Sequence, residues 1–216
     1  MIVLDFSSGE TCRNDPDIAY QMIDELDKVD TRRHNVVIKW QLEKDPPTIE
    51  RDGKKIRATP LRQGVFALAY SHAYWKNYWT TASVFDEESL EYLLTFNTPF
   101  IKIANKPYKY HLLREIPKNK KVFVSIGPGF DKEELLKQYP NVIPMYCVSE
   151  YPANPTVYET SFGKNLSYSI SDHTEDFYLY NKYAPWYYEV HYKLENSEGL
   201  DNGPWAKTPA QLSEIL

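Results

Sequence analysis

Apolar residues recur along the chain with two different spacings. Short runs rich in Val, Ile, Phe, Tyr and Trp, several of them alternating with polar residues, lie at 2–7, 35–42, 79–85, 100–105, 121–127, 142–149, 165–171 and 187–194. Runs of this kind predict β-strands. Between most of them the spacing is that of helices. The segment "DPDIAYQMIDELDKV" (15–29) opens with Asp and Pro, "FALAYSHAYWKNY" (66–78) is amphipathic, and "DEESLEYLLTF" (86–96) begins with acids that complement a helix N-terminus. Weaker helices are expected at 108–115, 131–139, 174–183 and 208–216. The sixth connection, "EYPANPTVYETSFGK", carries two prolines and no helical period, so a loop is expected there and the sixth helix is short or missing.

Eight such runs, alternating with helices and lacking tight hairpin signals, predict parallel βα units that close into a compact (β/α)8 TIM barrel, one domain over residues 1–216. Strand parity then places the side chains. Val36, Ile38 and Trp40 suit packing against outer helices, which turns Lys39 and Gln41 toward the barrel axis. The same parity points Asp5, Ser83, Lys102, Ser125, Ser149, Ser171, Glu189 and His191 inward near the C-terminal strand ends. Burying unpaired polar groups costs roughly 1–3 kcal/mol each. A ring of them is therefore expected to line a pocket at the catalytic face. The segment 43–64, which leaves the second strand at that face, is too long for a simple connection and is expected to be a lid or an acceptor-binding loop. Its "ERDGKK" also suits a small hairpin with an Asp-Gly turn and no function.

Composition narrows the partners. Hydrophobic residues at 42% and aromatics at 15% supply ample material for a packed core. With a net charge of -5 and no basic block longer than "KNKK" (118–121), the chain lacks an electrostatic footprint for nucleic acid or an anionic membrane. No stretch approaches the ~20 apolar residues that span a bilayer, and the N-terminus has no basic leader, so a cytoplasmic location is expected. Cys12 and Cys147 cannot build a disulfide framework, and Cys147 is expected to be a buried thiol in an apolar run. The eighteen tyrosines suit barrel-to-helix packing; a tyrosine-rich homodimer face is the alternative.

Two chemistries fit the inward set. Lys39 and Lys102 would supply charge, and Ser83, Ser125, Ser149 and Ser171 hydrogen bonds, to a phosphate or carboxylate. His173 and His191, at adjacent strand ends, would hold a divalent metal together with Glu189 or Asp5, or else form a hydrogen-bonded pair without metal.

The short motifs "IKWQ", "ASVFDEESLEYL", "KIAN", "VSIG", "CVSEYPANP", "SISDHT" and "EVHYKLENSEGLDNGP" follow one another along the chain. Their order resembles that of the sialic acid (N-acetylneuraminate, NeuB-type) synthases and related phosphoenolpyruvate-using nonulosonate synthases. The resemblance implies that Lys39, Ser83, Lys102, Ser125, Ser149, Tyr151 and Ser171 bind phosphoenolpyruvate. It implies further that Asp5, Gln41 and Glu189 serve catalysis and that His173 and His191 bind a divalent metal, Mn2+ by preference. The implied reaction is condensation of phosphoenolpyruvate with an open-chain N-acyl amino sugar, a transferase activity. Departures are also present: Asn105, Pro107 and Trp205 stand where the pattern has a serine and two carboxylates, and Asp5 is shorter than the usual glutamate. The chain stops at "TPAQLSEIL", whereas the family continues into an antifreeze-like (SAF) domain, so a separate SAF-domain protein is an expected partner. Two other readings fit the same residues: a different metal-assisted aldolase or lyase, and a non-catalytic barrel that binds metal and anion.

Overall fold

The computed structural model describes the chain except for residues 33, 34, 47, 52 and 53. Its strands are β1 (Ile2–Asp5), β2 (Val36–Leu42), β3 (Thr48–Arg51), β4 (Lys54–Arg57), β5 (Trp79–Val84), β6 (Ile101–Ile103), β7 (Val122–Ile126), β8 (Val142–Cys147), β9 (Ser169–Asp172), β10 (Tyr187–Tyr192) and β11 (Ala206–Lys207). All but β3, β4 and β11 pair in chain order, every pairing parallel, and β1 pairs back onto β10. That return pairing closes the barrel expected from the sequence. Short β11 extends alongside the upper end of β10, with Ala206 beside His191.

The helices are α1 (Pro16–Val29), α2 (Gln63–Trp75), α3 (Glu87–Leu94), α4 (Lys132–Gln138), α5 (Pro155–Phe162), α6 (Tyr178–Tyr183) and α7 (Pro209–Leu212). Asp15 caps α1 by accepting from the Asp17 amide, and Asp86 caps α3 by accepting from Ser89. The sixth connection holds a short helix in place of a bare loop, in keeping with the expectation of a short or missing sixth helix. There Asn154 accepts from the Thr156 amide, Pro155 starts α5 with its φ already helical, and Tyr158 and Phe162 turn inward. The fourth connection is a 3-10 helix over Pro107–Arg114 rather than an α-helix. No helix among the described residues is long and apolar enough to cross a membrane.

Two apolar layers follow from strand parity. Ile38 and Trp40, both fully buried, belong to the large core between strands and helices. Val3, Val37, Phe100, Phe123 and Met145 form a second cluster inside the barrel. Phe123 meets Phe100 edge-on at 4.7 Å and Tyr187 at 4.9 Å. This plug fills the lower barrel, so the inward residues one layer higher can be polar.

β3 and β4 form a separate antiparallel pair, Thr48 opposite Arg57 and Arg51 opposite Lys54. The Asp-Gly turn expected between them falls on residues 52 and 53, outside the described residues.

Candidate active site at the upper end of the barrel

Above the plug lies a cavity of about 330 Å³. Every site residue named from the sequence borders it: Asp5, Lys39, Gln41, Ser83, Lys102, Ser125, Ser149, Tyr151, Ser171, His173, Glu189 and His191. Parity accounts for the gathering, since each strand sends alternate side chains to the axis and the polar one comes last.

The ionised groups are paired with one another. Lys39 Nζ lies 2.6 Å from Asp5 Oδ2 and 3.6 Å from Glu189 Oε2, and donates to Ser83 Oγ at 2.9 Å. Lys102 Nζ donates to both Glu189 oxygens, at 2.7 and 2.8 Å. Ser171 Oγ donates to Glu189 Oε1 at 2.8 Å, and Gln41 Nε2 to Asp5 Oδ2 at 3.0 Å. Burial alone would raise the Glu189 pKa; the ammoniums of Lys102 and Lys39 outweigh it and hold the carboxyl well below the usual range. The same balance holds Asp5 low, and its carboxylate with that of Glu189 keeps Lys39 above an ordinary lysine. Lys102 is pulled down by burial, which its one carboxylate partner, Glu189, does not fully offset.

Lys39 and Lys102, expected to supply charge to a phosphate or carboxylate, already share a carboxylate of the protein, because Glu189 stands between them. The cavity lining carries Lys39, Lys102 and Lys106 against Asp5, Glu43, Glu189 and Asp201.

The two histidines face each other with ring centroids 5.3 Å apart. His173 Nδ1 lies 2.7 Å from the Val148 carbonyl, which assigns the proton to Nδ1 and leaves Nε2 with its lone pair. Burial, then the neighbouring His191, lowers the His173 pKa to about 3. It is neutral at physiological pH and suited to a metal. His191 Nδ1 lies 3.4 Å from Ser7 Oγ, 3.7 Å from Asp201 Oδ1 and 3.9 Å from Asp5 Oδ2. Both rings thus have acceptors beside Nδ1, the arrangement that orients histidine ligands. Among the described residues, no three His, Cys, Asp or Glu side chains are already gathered as a metal site. Two histidines with carboxylates beside them suit a divalent ion whose remaining ligands come from water or substrate.

Neighbours fix these positions. Tyr158 OH donates to the Ser171 carbonyl at 2.6 Å and accepts from the His173 amide at 3.2 Å. Buried Lys207 reaches the Thr174 carbonyl at 2.9 Å. Tyr151 stacks on His173 at 4.2 Å and meets Trp205 edge-on at 5.5 Å. Trp205 is therefore packed behind the rim instead of presenting a polar group, and Pro107 starts the 3-10 helix. Asn105 Nδ2 donates to Ser149 Oγ at 3.0 Å.

Sequence reading missed four titratable lining residues: Glu43, Lys106, Cys147 and Asp201. Parity marks two of them, because Glu43 continues the series Lys39, Gln41, and Cys147 shares the face of Ser149. The Cys147 thiol is buried, as expected, but lies 4.0 Å from both Ser149 Oγ and His173 Nδ1. Burial raises its pKa to about 11, so it is a thiol at neutral pH. Asp201 lies within the motif "EVHYKLENSEGLDNGP", but nothing local marks it out from its neighbours there. Its loop is tied down by Glu10, which accepts from the Thr59 and Leu200 amides, both at 2.8 Å. Gly199 permits that approach at φ 103°, since a Cβ there would lie 2.5 Å from Glu10 Oε2.

A closed parallel barrel with a charged cavity at its C-terminal strand ends defines a TIM barrel with its site at the usual face. Residues 39–182 match the NeuB family model, and the chain belongs to the NeuB family. Among solved structures, it is similar to N-acetylneuraminic acid (sialic acid) synthetase from Leptospira borgpetersenii serovar Hardjo-bovis in complex with citrate. That match has a TM-score of 0.75 at 21% identity, covering 99% of this chain and 80% of that one. A spore coat polysaccharide biosynthesis protein from Bacillus subtilis gives 0.74 at 18%, covering 99% of this chain and 65% of its own. A truncated 3-deoxy-D-arabino-heptulosonate 7-phosphate synthase from Thermotoga maritima gives 0.67 at 13%, covering 99% and 82%. At these identities the likeness is one of fold. No curated protein matches the chain in sequence.

Proposed function

We propose that the protein condenses phosphoenolpyruvate with an open-chain N-acyl amino sugar, with loss of phosphate. The observation that carries this reading is the meeting, in one cavity, of the Lys39–Glu189–Lys102 network, inward serines and a facing histidine pair, in a chain of the NeuB family. Ser83 and Ser125 donate to anionic oxygens of the ligand, and Ser171 and Lys102 turn toward it from Glu189. Glu189 then loses the nearer of the two ammoniums that hold its pKa down, so its pKa rises and it can take up a proton and return it. Asp5 keeps Lys39 charged throughout. Tyr151, stacked on the His173 ring, shields it from solvent. His173 and His191 would hold the divalent ion, Mn2+ by preference; when bound, it supplies Lewis-acid polarisation of a carbonyl oxygen. The enol carbon of phosphoenolpyruvate forms a bond to the sugar aldehyde carbon, water adds to the former enol ether carbon, and phosphate departs.

Internal pairing of both lysines favours a second reading, a barrel that binds ligands without turning them over, since the cavity is neutralised without an anion. Calorimetric titration of phosphoenolpyruvate separates the two when followed by a phosphate-release assay with Mn2+ and N-acyl amino sugars, with and without an added SAF-domain protein. Ser125→Ala is the control, because no protein side chain among the described residues holds its hydroxyl. Binding that weakens in Ser125→Ala, followed by phosphate release, supports the synthase. Binding without release supports the second reading, and absence of binding sinks both.

A further inference from the structure

Helix α2 contains no Asp, Glu, Lys or Arg, although one of its sides faces solvent. Its residues Phe66, Ala69 and Ala73 are buried in the core. On the outward side Leu68 is 45% exposed, Tyr74 67% and Trp75 82%. A helix that is apolar toward solvent as well as toward the core is ordinarily covered. Helical spacing puts Leu68 and Trp75 two turns apart on the flank that carries His72, and Tyr74 one turn beyond Tyr70 on the other. His72 Nε2 lies 2.9 Å from Asp24 Oδ1 and so marks the side of α1, while Tyr70 OH donates to the Asn97 carbonyl just past α3.

Along the α1 side runs a groove whose charges do not balance. Asp17, Asp24, Glu25 and Asp27 line it against Lys28 and Lys76. Lys28 pairs with Glu25 at 2.7 Å, and Lys76 with Asp24 and Asp27, both at 3.1 Å. The Asp17 carboxylate makes no hydrogen bond or ion pair among the described residues, nor does that of exposed Glu91 on α3. We propose that this surface docks a cationic amphipathic helix of another protein. The apolar side chains of that helix rest on Leu68 and Trp75, and its Lys or Arg flank lies over the acidic groove. Tyr74 and Trp75 add aromatic area of the kind that anchors interfaces, with ring faces open to cations. A second copy of this chain fits the surface less well. Packing α2 on α2 across a twofold axis sets α1 against α3 of the other copy, or α1 against α1, and in either arrangement carboxylates meet carboxylates. None of these residues lines the barrel cavity, so the surface is independent of the reaction proposed there.

The test uses the full chain and a fluorescein-labelled peptide of about 18 residues, made of Leu and Lys with the leucines at helical spacing and read by fluorescence anisotropy. The controls are a scrambled Leu/Lys peptide and the original pattern with Glu in place of Lys. Wild type is expected to bind the patterned Lys peptide roughly tenfold or more tightly than either control. Leu68→Ser combined with Trp75→Ser should weaken it about tenfold or more. Asp17→Asn combined with Glu25→Gln should weaken it about threefold and reduce its dependence on salt. None of the four positions is buried, and thermal midpoints of the variants report that the fold is kept. Equal binding of the scrambled peptide, or full affinity in the Leu68 and Trp75 double variant, overturns the proposal. A wild-type dimer in sedimentation that this double variant dissolves overturns it as well, because the occupant is then a second copy.

Discussion

Lys102 Nζ and the Glu189 carboxylate, 2.7 and 2.8 Å apart, join strands β6 and β10 across the barrel axis. Both side chains are almost wholly buried, so the pair is a strut as well as a part of the site. Removing one partner leaves a buried charge uncompensated. Lys102→Met is therefore expected to destabilise the fold by about 3–5 kcal/mol, and the double variant with Glu189→Leu to recover most of that loss. Urea unfolding measures both. A single variant within about 1 kcal/mol of wild type would show that water reaches the pair.

Metal binding gives a second expectation. The protein should take up one Mn2+ per chain, and His173→Ala or His191→Ala should each abolish uptake, because too few protein ligands remain. Equilibrium dialysis against Mn2+ reads this without turnover. Retained one-to-one binding in both variants would place the ion elsewhere.

The acid limb of stability should contain a histidine component. His173 stays neutral in the fold down to about pH 3, while in the unfolded chain a histidine protonates below about 6.5. Between those values the unfolded state binds the extra proton, so stability falls as pH drops through that window. His173→Gln should flatten the loss between pH 6.5 and about 4.5, before the carboxylates Glu189 and Asp5 begin to contribute. Urea midpoints taken across that range decide it; parallel curves for the two proteins would contradict the assignment.

The β3–β4 pair makes its strand hydrogen bonds within itself, yet Pro46 and Ala58 at its two stems line the cavity. Deleting residues 48–57 should leave the thermal midpoint nearly unchanged and weaken sugar binding several-fold. Unaltered affinity would reduce the hairpin to decoration.

Much of this architecture was legible in the sequence because strand parity is insensitive to the rest of the fold. Lys39 and Trp40 are adjacent in sequence and face opposite sides, one to the cavity and one to the helices, as their polarity dictates. The sixth helix was less legible: over eight residues a helical period cannot declare itself, and only Asn154-Pro155 announces the start. The Asp5–Lys39 pair was within reach, since β1 and β2 place these residues side by side. The Lys102–Glu189 pair was not, because it spans the barrel between strands far apart in the chain. Asp201 is set by the Glu10 contact between two loops, a relationship no local pattern encodes.

The plug of Val3, Val37, Phe100, Phe123 and Met145 closes the barrel beneath the cavity, which makes the cavity a dead end on that side. Traffic through a dead end is sequential. On the proposed reading, a ligand seated at depth near Ser125 and Ser171 would enter before one that rests at the mouth, and would leave after it. Two substrates sharing this cavity would then bind in a set order, the deep one first.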